Sequence, residues 1–460
     1  MGLFAQRPHA ESMLNLNYEQ ARRDVQNSGS PAFEKAFWQH DMVFMQLYLN
    51  DDQSLRDQYE ETTDEVEDVL DDQDAHYQLA ELYLKNAIVR YFNGERFGTA
   101  RAFYASYNEA EKAYENNPDD FRAKSLYGLY QILVGSIPDS YSFLVSVLGV
   151  SGDVELGERL FREAAREAST KDNWYAYRVR FLYTFYLFQK TGTTDEAMAF
   201  ARDFPDSVLG NFLLSRIQLK SGNGASSRAS LLKSIQMDSG FELPYTRFLL
   251  GKQLIESGRY GQGRKWIANY LNNYSGREYI RAANLYLSWS YLVEGDDALY
   301  RQYKAKVKST GRGYFGDDIL ALYESGLTHH PTLIQARMAH DAMDFSRCEE
   351  ILSGITPAYF SNTAFIDEYY YRRGRNFQKL KNPNSAEEMF LKLLSQTDRI
   401  TAYYQPNAAL QLAYIHFDRG QKQKALQWAE RVFEYEDYPF NAPIEWQAKE
   451  MIQEGENYRR

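Results

Sequence analysis

The chain of 460 residues has only one cysteine, Cys348, so it cannot form an internal disulfide. A free cysteine is usually a small buried side chain, whereas a catalytic thiol needs a basic partner that no neighbouring pattern provides. We therefore expect Cys348 to be buried. Prolines are also few, 12 in all, and this scarcity leaves room for long, uninterrupted helices.

Basic residues are fewer than acidic residues, 52 against 63, and long apolar runs are scarce. The formal net charge is −11, and nucleic acids and anionic membranes both need a basic face, so neither is expected as the main partner, although a local basic patch stays open. The longest apolar run, Phe143–Val150, is far shorter than the roughly 20 residues of a membrane-spanning helix. We predict no transmembrane segment.

The N-terminal residues resemble the end of a signal peptide. Residues 1–6 place the small Ala5 at a cleavage position, but the charged and long apolar regions of a signal are missing. The expectation is a periplasmic protein if these residues are the remnant of an export signal, and a cytoplasmic protein otherwise.

Aromatic side chains are abundant. They make up 15% of the chain, with 37 tyrosines, while hydrophobic residues reach 44% and charged residues 25%. The last two values are ordinary for a folded protein. A tyrosine can bury its ring and keep its hydroxyl in water, which suits long binding faces on stacked helices.

The stretch Tyr245–Tyr270 shows one repeating unit of the chain. Gly251 and Gly263 are small residues inside two predicted helices, and Gly258 separates the helices. This spacing is typical of a tetratricopeptide repeat, whose period is about 34 residues. Antiparallel helices approach closely only where side chains are small, so Gly251 and Gly263 are predicted to mark the helix crossing.

The same template recurs along the chain. Its fitting positions are Ala87, Gly94, Thr99 and Phe103; Gly128 and Gly135; Ser215, Gly222, Ser227 and Leu231; Ala336, Ala339, Cys348 and Leu352; Gly374, Ala386 and Phe390; and Ala413, Gly420, Ala425 and Val432. No stretch alternates with a period of two, so no sheet is expected. The predicted fold is all-α, a right-handed alpha-alpha superhelix, that is, a tetratricopeptide-like solenoid.

Three divisions of the chain are predicted. Residues 1–74 form an N-terminal helical cap with an acidic segment, residues 75–438 form the repeats with an insertion at 136–160, and residues 439–460 form a C-terminal capping helix.

Two local predictions accompany them. Ser385 and Glu388 are predicted to form a capping box, and Trp174–Phe188, which is apolar on nearly all sides, is predicted to be a buried helix.

The insertion carries a family resemblance. Pro138 begins an apolar helical stretch that ends at Gly149, and Gly152, Asp153 and Gly157 follow, with Ser151 or Asp153 as the cap of the next helix. This pattern resembles the signature of the tetratricopeptide-repeat-39 family, which includes a mitochondrial outer-membrane protein linked to inclusion clearance. The resemblance implies a helical repeat scaffold without known catalysis.

Two patterns that suggest chemistry have little support from their context. Gly311–Gly316 matches GxGxxG by letter, but a dinucleotide site needs a strand before the motif, and a basic helical stretch precedes it here. His329 and His330, with His340 and Asp341 nearby, lack the spacing of a zinc site. We therefore expect no cofactor, no metal and no enzymatic activity.

The positive signal is a binding surface. In this repeat class the first helix of each pair lines the concave groove, and projecting the template onto the chain selects Tyr245, Lys252, Trp289, Tyr371, Arg375, Lys379, Asn407 and Tyr414. Tyrosine, tryptophan and arginine are common interface anchors, yet the same residues also fill repeat cores. The favoured function is a non-enzymatic scaffold that binds a protein or peptide in this groove. The alternative is a glycan- or lipid-binding module of the cell envelope that uses tyrosine and tryptophan platforms.

Overall fold

The computed structural model describes residues 7–70, 75–137, 149–190, 193–237, 240–312, 316–395 and 402–455. These segments contain only helices, turns and irregular connections, with no strand, which confirms the all-α, tetratricopeptide-like class. Among the described residues, no helix combines the length and the apolar character needed to cross a membrane.

The helices are numbered in chain order. The first twelve are α1 Arg7–Leu14, α2 Tyr18–Gln26, α3 Ala32–Asn50, α4 Arg56–Leu70, α5 His76–Phe92, α6 Arg96–Asn116, α7 Phe121–Gly135, α8 Val154–Ala168, α9 Trp174–Gln189, α10 Thr194–Arg202, α11 Val208–Lys220 and α12 Gly224–Gln236. The others are α13 Pro244–Glu256, α14 Tyr260–Asn273, α15 Ile280–Glu294, α16 Asp297–Ser309, α17 Gly316–Glu324, α18 Pro331–Asp341, α19 Phe345–Ser353, α20 Thr363–Lys379, α21 Pro383–Leu394, α22 Tyr404–Asp418, α23 Lys422–Arg431 and α24 Asn441–Glu454. Within the described segments, short 3₁₀ helices lie at Gln53–Leu55, Pro357–Tyr359 and Val432–Glu434.

Tight turns join consecutive helices into hairpins. Gly222 and Gly420, which the template placed at helix ends, have φ of +79° and +71°. Glycine adopts this left-handed conformation without the steric cost that a Cβ adds. In two other hairpins Met343 and Lys381 stand at the same kind of turn with φ of +61° and +56°. The turn geometry therefore recurs even where glycine does not.

Small residues do lie at the helix crossings that the template predicted. In the α11–α12 hairpin, the hydroxyl of Ser227 donates a 2.8 Å hydrogen bond to the carbonyl of Ser215. In the α20–α21 hairpin, a Cβ added to Gly374 would lie 2.5 Å from the ring of Phe390. Cys348 is fully buried, as expected. Gly251 and Gly263 are each buried within a helix, and their mutual contact stays a prediction.

Glycines mark a close backbone approach between α7 and the beginning of α8. A Cβ on Gly152 would lie 2.1 Å from the backbone nitrogen of Gly135, and one on Gly157 would lie 2.6 Å from the carbonyl oxygen of Gly128. Asp153 caps α8 by accepting a hydrogen bond from the backbone N–H of Leu156 at 2.9 Å. Two of the signature glycines thus serve a backbone-to-backbone contact. Pro138 and the apolar helix predicted after it lie outside the described residues.

The chain divides into two compact units. Unit 1 contains Met1–Gly251, Lys265–Ala283 and Thr310–Leu320; unit 2 contains Lys252–Arg264, Asn284–Ser309 and Ala321–Arg460. Within unit 1, α1 packs against α9 and α11, and Asn15 accepts a 3.2 Å hydrogen bond from the backbone of Val208. The predicted divisions at residues 74 and 438 stay predictions.

A buried ion cluster connects α3, α5 and α9 in unit 1. Asp41, almost fully buried, lies 2.8 Å from Lys85 Nζ and accepts a 2.6 Å hydrogen bond from Trp174 Nε1. Arg178 approaches Asp41 at 3.4 Å and Glu81 at 2.8 Å. Burial raises the pKa of Asp41, but Arg178 and Lys85 outweigh burial and hold that pKa well below its usual range. The carboxylate is therefore charged inside the core.

Two local predictions need correction. The capping box of Ser385 and Glu388 is wrong, because Asn382 is the cap of α21 and accepts a hydrogen bond from the Ser385 backbone N–H at 3.2 Å. Proline at position 383 then occupies the first turn, where its missing N–H costs nothing. The helix at Trp174–Phe188 is mostly buried, but Leu182 and Phe185 are exposed, because packing on several neighbours still leaves one side of the helix uncovered.

Candidate functional site

One face of α20 in unit 2 carries a row of polar side chains. Asn362 caps the helix at its N-terminus by accepting a 2.9 Å hydrogen bond from the backbone N–H of Ala364. Spacings of three and four residues bring side chains to the same side of a helix. The members of this row are Glu368, Tyr371, Arg372, Arg375 and Lys379. Three of them, Tyr371, Arg375 and Lys379, are residues that the sequence selected for the groove.

The row continues from α20 onto α22. Arg375 Nη1 approaches the side-chain oxygen of Asn407 at 3.4 Å, and Gln411 donates a 3.0 Å hydrogen bond to the same oxygen. Arg375, Asn407 and Gln411 are therefore one connected patch on two neighbouring first helices. We call Arg375, Lys379, Asn407 and Gln411 the first-helix patch.

The two tyrosines predicted for this surface have their rings inside the packing. Tyr371 is buried, with its ring centroid 4.9 Å from that of Tyr404 and 5.7 Å from that of Tyr403. Tyr414 is also buried, and its hydroxyl donates a 2.8 Å hydrogen bond to Gln447 on α24. These rings support the patch from below, and their direct contact with a partner stays a prediction.

The three other predicted groove residues lie elsewhere. Trp289 is buried in unit 2, with the guanidinium carbon of Arg337 4.7 Å above its ring. Lys252 in unit 2 holds its Nζ 5.3 Å above the ring of Tyr286. Tyr245 in unit 1 is half-buried with its ring centroid 4.4 Å from that of Tyr279. These three are therefore not part of the first-helix patch.

Most of the charges in this part of unit 2 are already neutralised. Glu324 binds Arg337 at 2.6 Å and His329 at 3.1 Å. Burial raises the pKa of Glu324, but Arg337 and His329 outweigh it and lower the pKa to about 2. Arg372 forms an ion pair with Glu368 one turn away. The Glu324–Arg337 pair connects α17 to α18, whereas the Glu368–Arg372 pair lies within α20.

Arg375 differs from those arginines. Within the part of the chain that the structure describes, its only hydrogen bond is the long one to Asn407, and its Nε is buried without a partner. A guanidinium has five N–H donors arranged to grip a carboxylate with two parallel bonds. The buried Nε is closed to a partner, so the terminal Nη groups of Arg375 are the donors for an incoming acceptor, and the exposed Lys379 lies one turn away.

Unit 1 has a cleft that sequence reasoning missed. It has a volume of about 480 Å³ and lies where α7 and α9 begin. Its lining residues are Asn117, Asp119, Asp120, Phe121, Arg122, Glu167, Lys171, Asn173 and Tyr175. The volume falls within the range of small-molecule sites. The lining comes from two connections some fifty residues apart, so no local motif indicated it.

Four of the five charged residues that line this cleft form two ion pairs, and Asp119 is the fifth. Arg122 Nη2 lies 2.7 Å from Asp120, and Lys171 Nζ lies 3.4 Å from Glu167. The Lys171 ammonium also lies 5.4 Å above the ring of Phe121. The cleft therefore offers many donors and acceptors, with little net charge, above a partly aromatic floor.

The two patterns that suggested chemistry in the sequence lie in the following surroundings within the described residues. Across the described segments, no three His, Cys, Asp or Glu side chains gather as metal ligands. His329 is bound to Glu324, and His330 caps α18 by accepting a 3.2 Å hydrogen bond from the backbone N–H of Thr332. The motif Gly311–Gly316 follows helix α16 rather than a strand, and its residues 313–315 lie outside the described residues.

Comparison with known proteins adds little. No protein-family model matches the chain, and no curated protein sequence matches it. Among solved structures, a monomeric IFIT1 mutant with Gppp-AAAA covers 90% of this chain and 89% of its own at 12% identity with a TM-score of 0.32. The human IFIT1 dimer with m7Gppp-AAAA covers 97% of this chain and 85% of its own, at 12% identity with a TM-score of 0.29. The APC/C hetero-tetramer Cut9–Hcn1 covers 97% of this chain and 95% of its own, at 12% identity with a TM-score of 0.25. Likeness at this level carries no inference about partners, so the tetratricopeptide-like assignment rests on the chain's own helical hairpins.

Proposed function

We propose that the protein is a non-enzymatic helical-repeat scaffold that binds an extended peptide segment along the first-helix patch of unit 2. The observation that carries the proposal is Arg375, whose guanidinium has unused donors among the described residues and lies beside the amide of Asn407, to which the buried Gln411 donates a hydrogen bond. Side-chain amides offer both a donor and an acceptor, as a peptide backbone requires. The arginine adds a site for a carboxylate.

The charges of the patch indicate the kind of segment. Arg375 and the exposed Lys379 are both cationic and lie on the same face of α20. A peptide segment with one or two carboxylates complements that pair, and its backbone complements the amides.

We also propose kinship with the tetratricopeptide-repeat-39 family, on the residues of the insertion quoted above.

Site-specific photo-crosslinking tests this proposal. A photoreactive amino acid at Lys379 is expected to capture a protein partner in the native cell, because Lys379 is exposed at the end of the patch. The same amino acid at Lys392, an exposed position on the second helix α21, is the matched control. Equal capture at both positions, or capture at Lys392 alone, contradicts a groove on the first helices.

The captured partner then permits a quantitative test. A hydrogen bond to a charged group contributes about 1.5–3 kcal/mol, so Arg375→Ala is expected to weaken the partner about 10- to 100-fold. Arg375→Lys keeps the charge but not the two-bond geometry, so an intermediate loss is expected. If Arg375→Ala binds as tightly as the unaltered chain, the guanidinium is not a contact.

The cleft of unit 1 favours a second candidate function, the binding of a neutral glycan. Internally paired charges exert little pull on an ionic ligand, whereas a sugar hydroxyl both donates and accepts. The aromatic floor of Phe121 and Tyr175 suits the apolar face of a sugar ring. Saturation-transfer NMR with maltose and with diacetylchitobiose tests this function. The signal is expected to vanish in Asp119→Ala, a cleft residue, and to persist in Lys265→Ala, an exposed position of unit 1.

A further inference from the structure

The turn between α5 and α6 in unit 1 exposes an unusual set of aromatic side chains. Phe97, in the first turn of α6, is 95% exposed. Tyr91 at the end of α5 is 55% exposed, and Tyr104 is 37% exposed. Phe97, Arg101 and Tyr104 are spaced at four and three residues, so they share one face of α6. Single exposed apolar residues are normal, but a group of aromatic rings at one turn calls for a binding partner.

Two guanidinium groups accompany these rings. Arg96 and Arg101 are exposed, and neither has a carboxylate partner among the described residues. The nearby carboxylate of Glu95 is occupied, because it binds Arg56 at 2.8 Å and Arg90 at 2.9 Å. Arg96 and Arg101 therefore keep their charge available, on a chain whose net charge is −11.

Ring contacts connect the turn to the rest of unit 1. Rings of Tyr91, Phe92, Tyr48 and Phe44 follow one another with centroid separations of 5.6, 5.7 and 5.6 Å. Phe44 itself is buried. This chain of rings connects Tyr91, at the end of α5, to the core of unit 1, so the turn is anchored there.

We propose that this turn, with Phe97, Tyr91 and Tyr104 beside Arg96 and Arg101, is a docking surface for the headgroup region of a phospholipid membrane. Guanidinium groups bind phosphate oxygens with charge-assisted hydrogen bonds. Tyrosine rings suit the boundary between headgroups and acyl chains. The projecting ring of Phe97 can insert into a membrane surface, which is deformable and needs no preformed pocket. The charge of the turn complements the lipid phosphates. Arg96 and Arg101, which have no carboxylate partner among the described residues, lie beside exposed aromatic rings on a chain that is otherwise acidic.

Vesicle flotation of the full chain tests the proposal. Vesicles of phosphatidylethanolamine and phosphatidylglycerol are expected to carry the protein upward. Phe97→Ser should lower the partition coefficient about tenfold, because the apolar contribution of the ring is lost. Arg96→Ala and Arg101→Ala should each lower it about fivefold, and less on vesicles of phosphatidylcholine alone. The matched control is Phe433→Ser, which removes an exposed ring in unit 2.

Each result has a definite meaning. Since the Phe97 ring packs on almost nothing, Phe97→Ser is expected to keep the melting temperature of the unaltered chain, so a loss of flotation reports on docking. Failure of the unaltered chain to float, or equal flotation of Phe97→Ser, overturns the proposal. A change in sedimentation coefficient of Phe97→Ser without a change in flotation also overturns it, in favour of a second copy of the chain as the occupant. Capture at Lys379 is unaffected by any of these outcomes.

Discussion

The α7–α8 crossing permits a sharp prediction. In Gly157→Ala the new Cβ would lie 2.6 Å from the carbonyl oxygen of Gly128 and 2.8 Å from the backbone nitrogen of Ile132. Both are backbone atoms, which cannot rotate away as the end of a flexible side chain can, so the helices must separate. Overpacking of this kind costs about 1–3 kcal/mol, and the site belongs at the upper end. Alanine recovers about 1 kcal/mol over glycine in a helix, which leaves a net loss of about 2 kcal/mol.

Hydrogen exchange followed by mass spectrometry measures this loss locally, which matters because a chain with two compact units need not unfold in one step. Amides of α7 and α8 are expected to exchange about 30-fold faster in the variant. The control is Gly261→Ala in α14, where the nearest atom to the new Cβ, Arg264 Nη2, is 4.0 Å away. This change should raise stability by up to about 1 kcal/mol. Unchanged exchange in Gly157→Ala would refute the close contact of the two backbones.

Further predictions concern the ion cluster, one buried carboxyl and the turns. Asp41→Ala leaves Lys85 buried without its anion and Arg178 with Glu81 as its remaining carboxylate, and urea denaturation should show a loss of about 3–5 kcal/mol. Burial raises the pKa of Asp318 to about 7. The folded chain therefore favours the neutral carboxyl group. The stability that Asp318 contributes is complete below about pH 4 and is lost as the pH rises through 7. Thermal melts of Asp318→Asn should lack that part of the pH dependence, and an unchanged profile would contradict the assignment. Residues 381 and 420 both have positive φ, which glycine adopts more easily than other residues. In denaturation, Lys381→Gly should therefore stabilise the chain by about 1 kcal/mol, and Gly420→Ala should destabilise it by about 1 kcal/mol. Stability changes of equal sign would contradict the shared turn geometry.

The hairpins could be predicted from the sequence because their determinants are local. Gly222 and Gly420 end helices through their own backbone freedom, and Ser215 and Ser227 meet because twelve residues and a tight turn bring them to the crossing. Where a cap depends on which of several polar residues reaches the first turn, local reasoning failed, as at Asn382.

The candidate site could be predicted only in part. Arg375 and Asn407, both predicted for the groove, lie 3.4 Å apart, because the template repeats at a nearly constant period and places first helices side by side; their contact with a partner stays a prediction. The burial of Tyr371 and Tyr414 depends on Tyr404 and on Gln447, and the pattern of one helix does not contain such information. The cleft of unit 1 arises from connections distant in sequence, so only the folded chain brings its lining together.

Helical hairpins can be predicted from the amino-acid order alone, because helix periodicity, small residues at crossings and glycines at turns act over short distances. Which side chains remain available depends on how the helices pack. Packing places Asp41 beside Trp174 and pairs Glu324 with Arg337. Within the described residues it leaves Arg375 with unused donors and Phe97 exposed. The reason is that pairing and burial depend on neighbours far along the chain, and these neighbours are known only once the helices have packed.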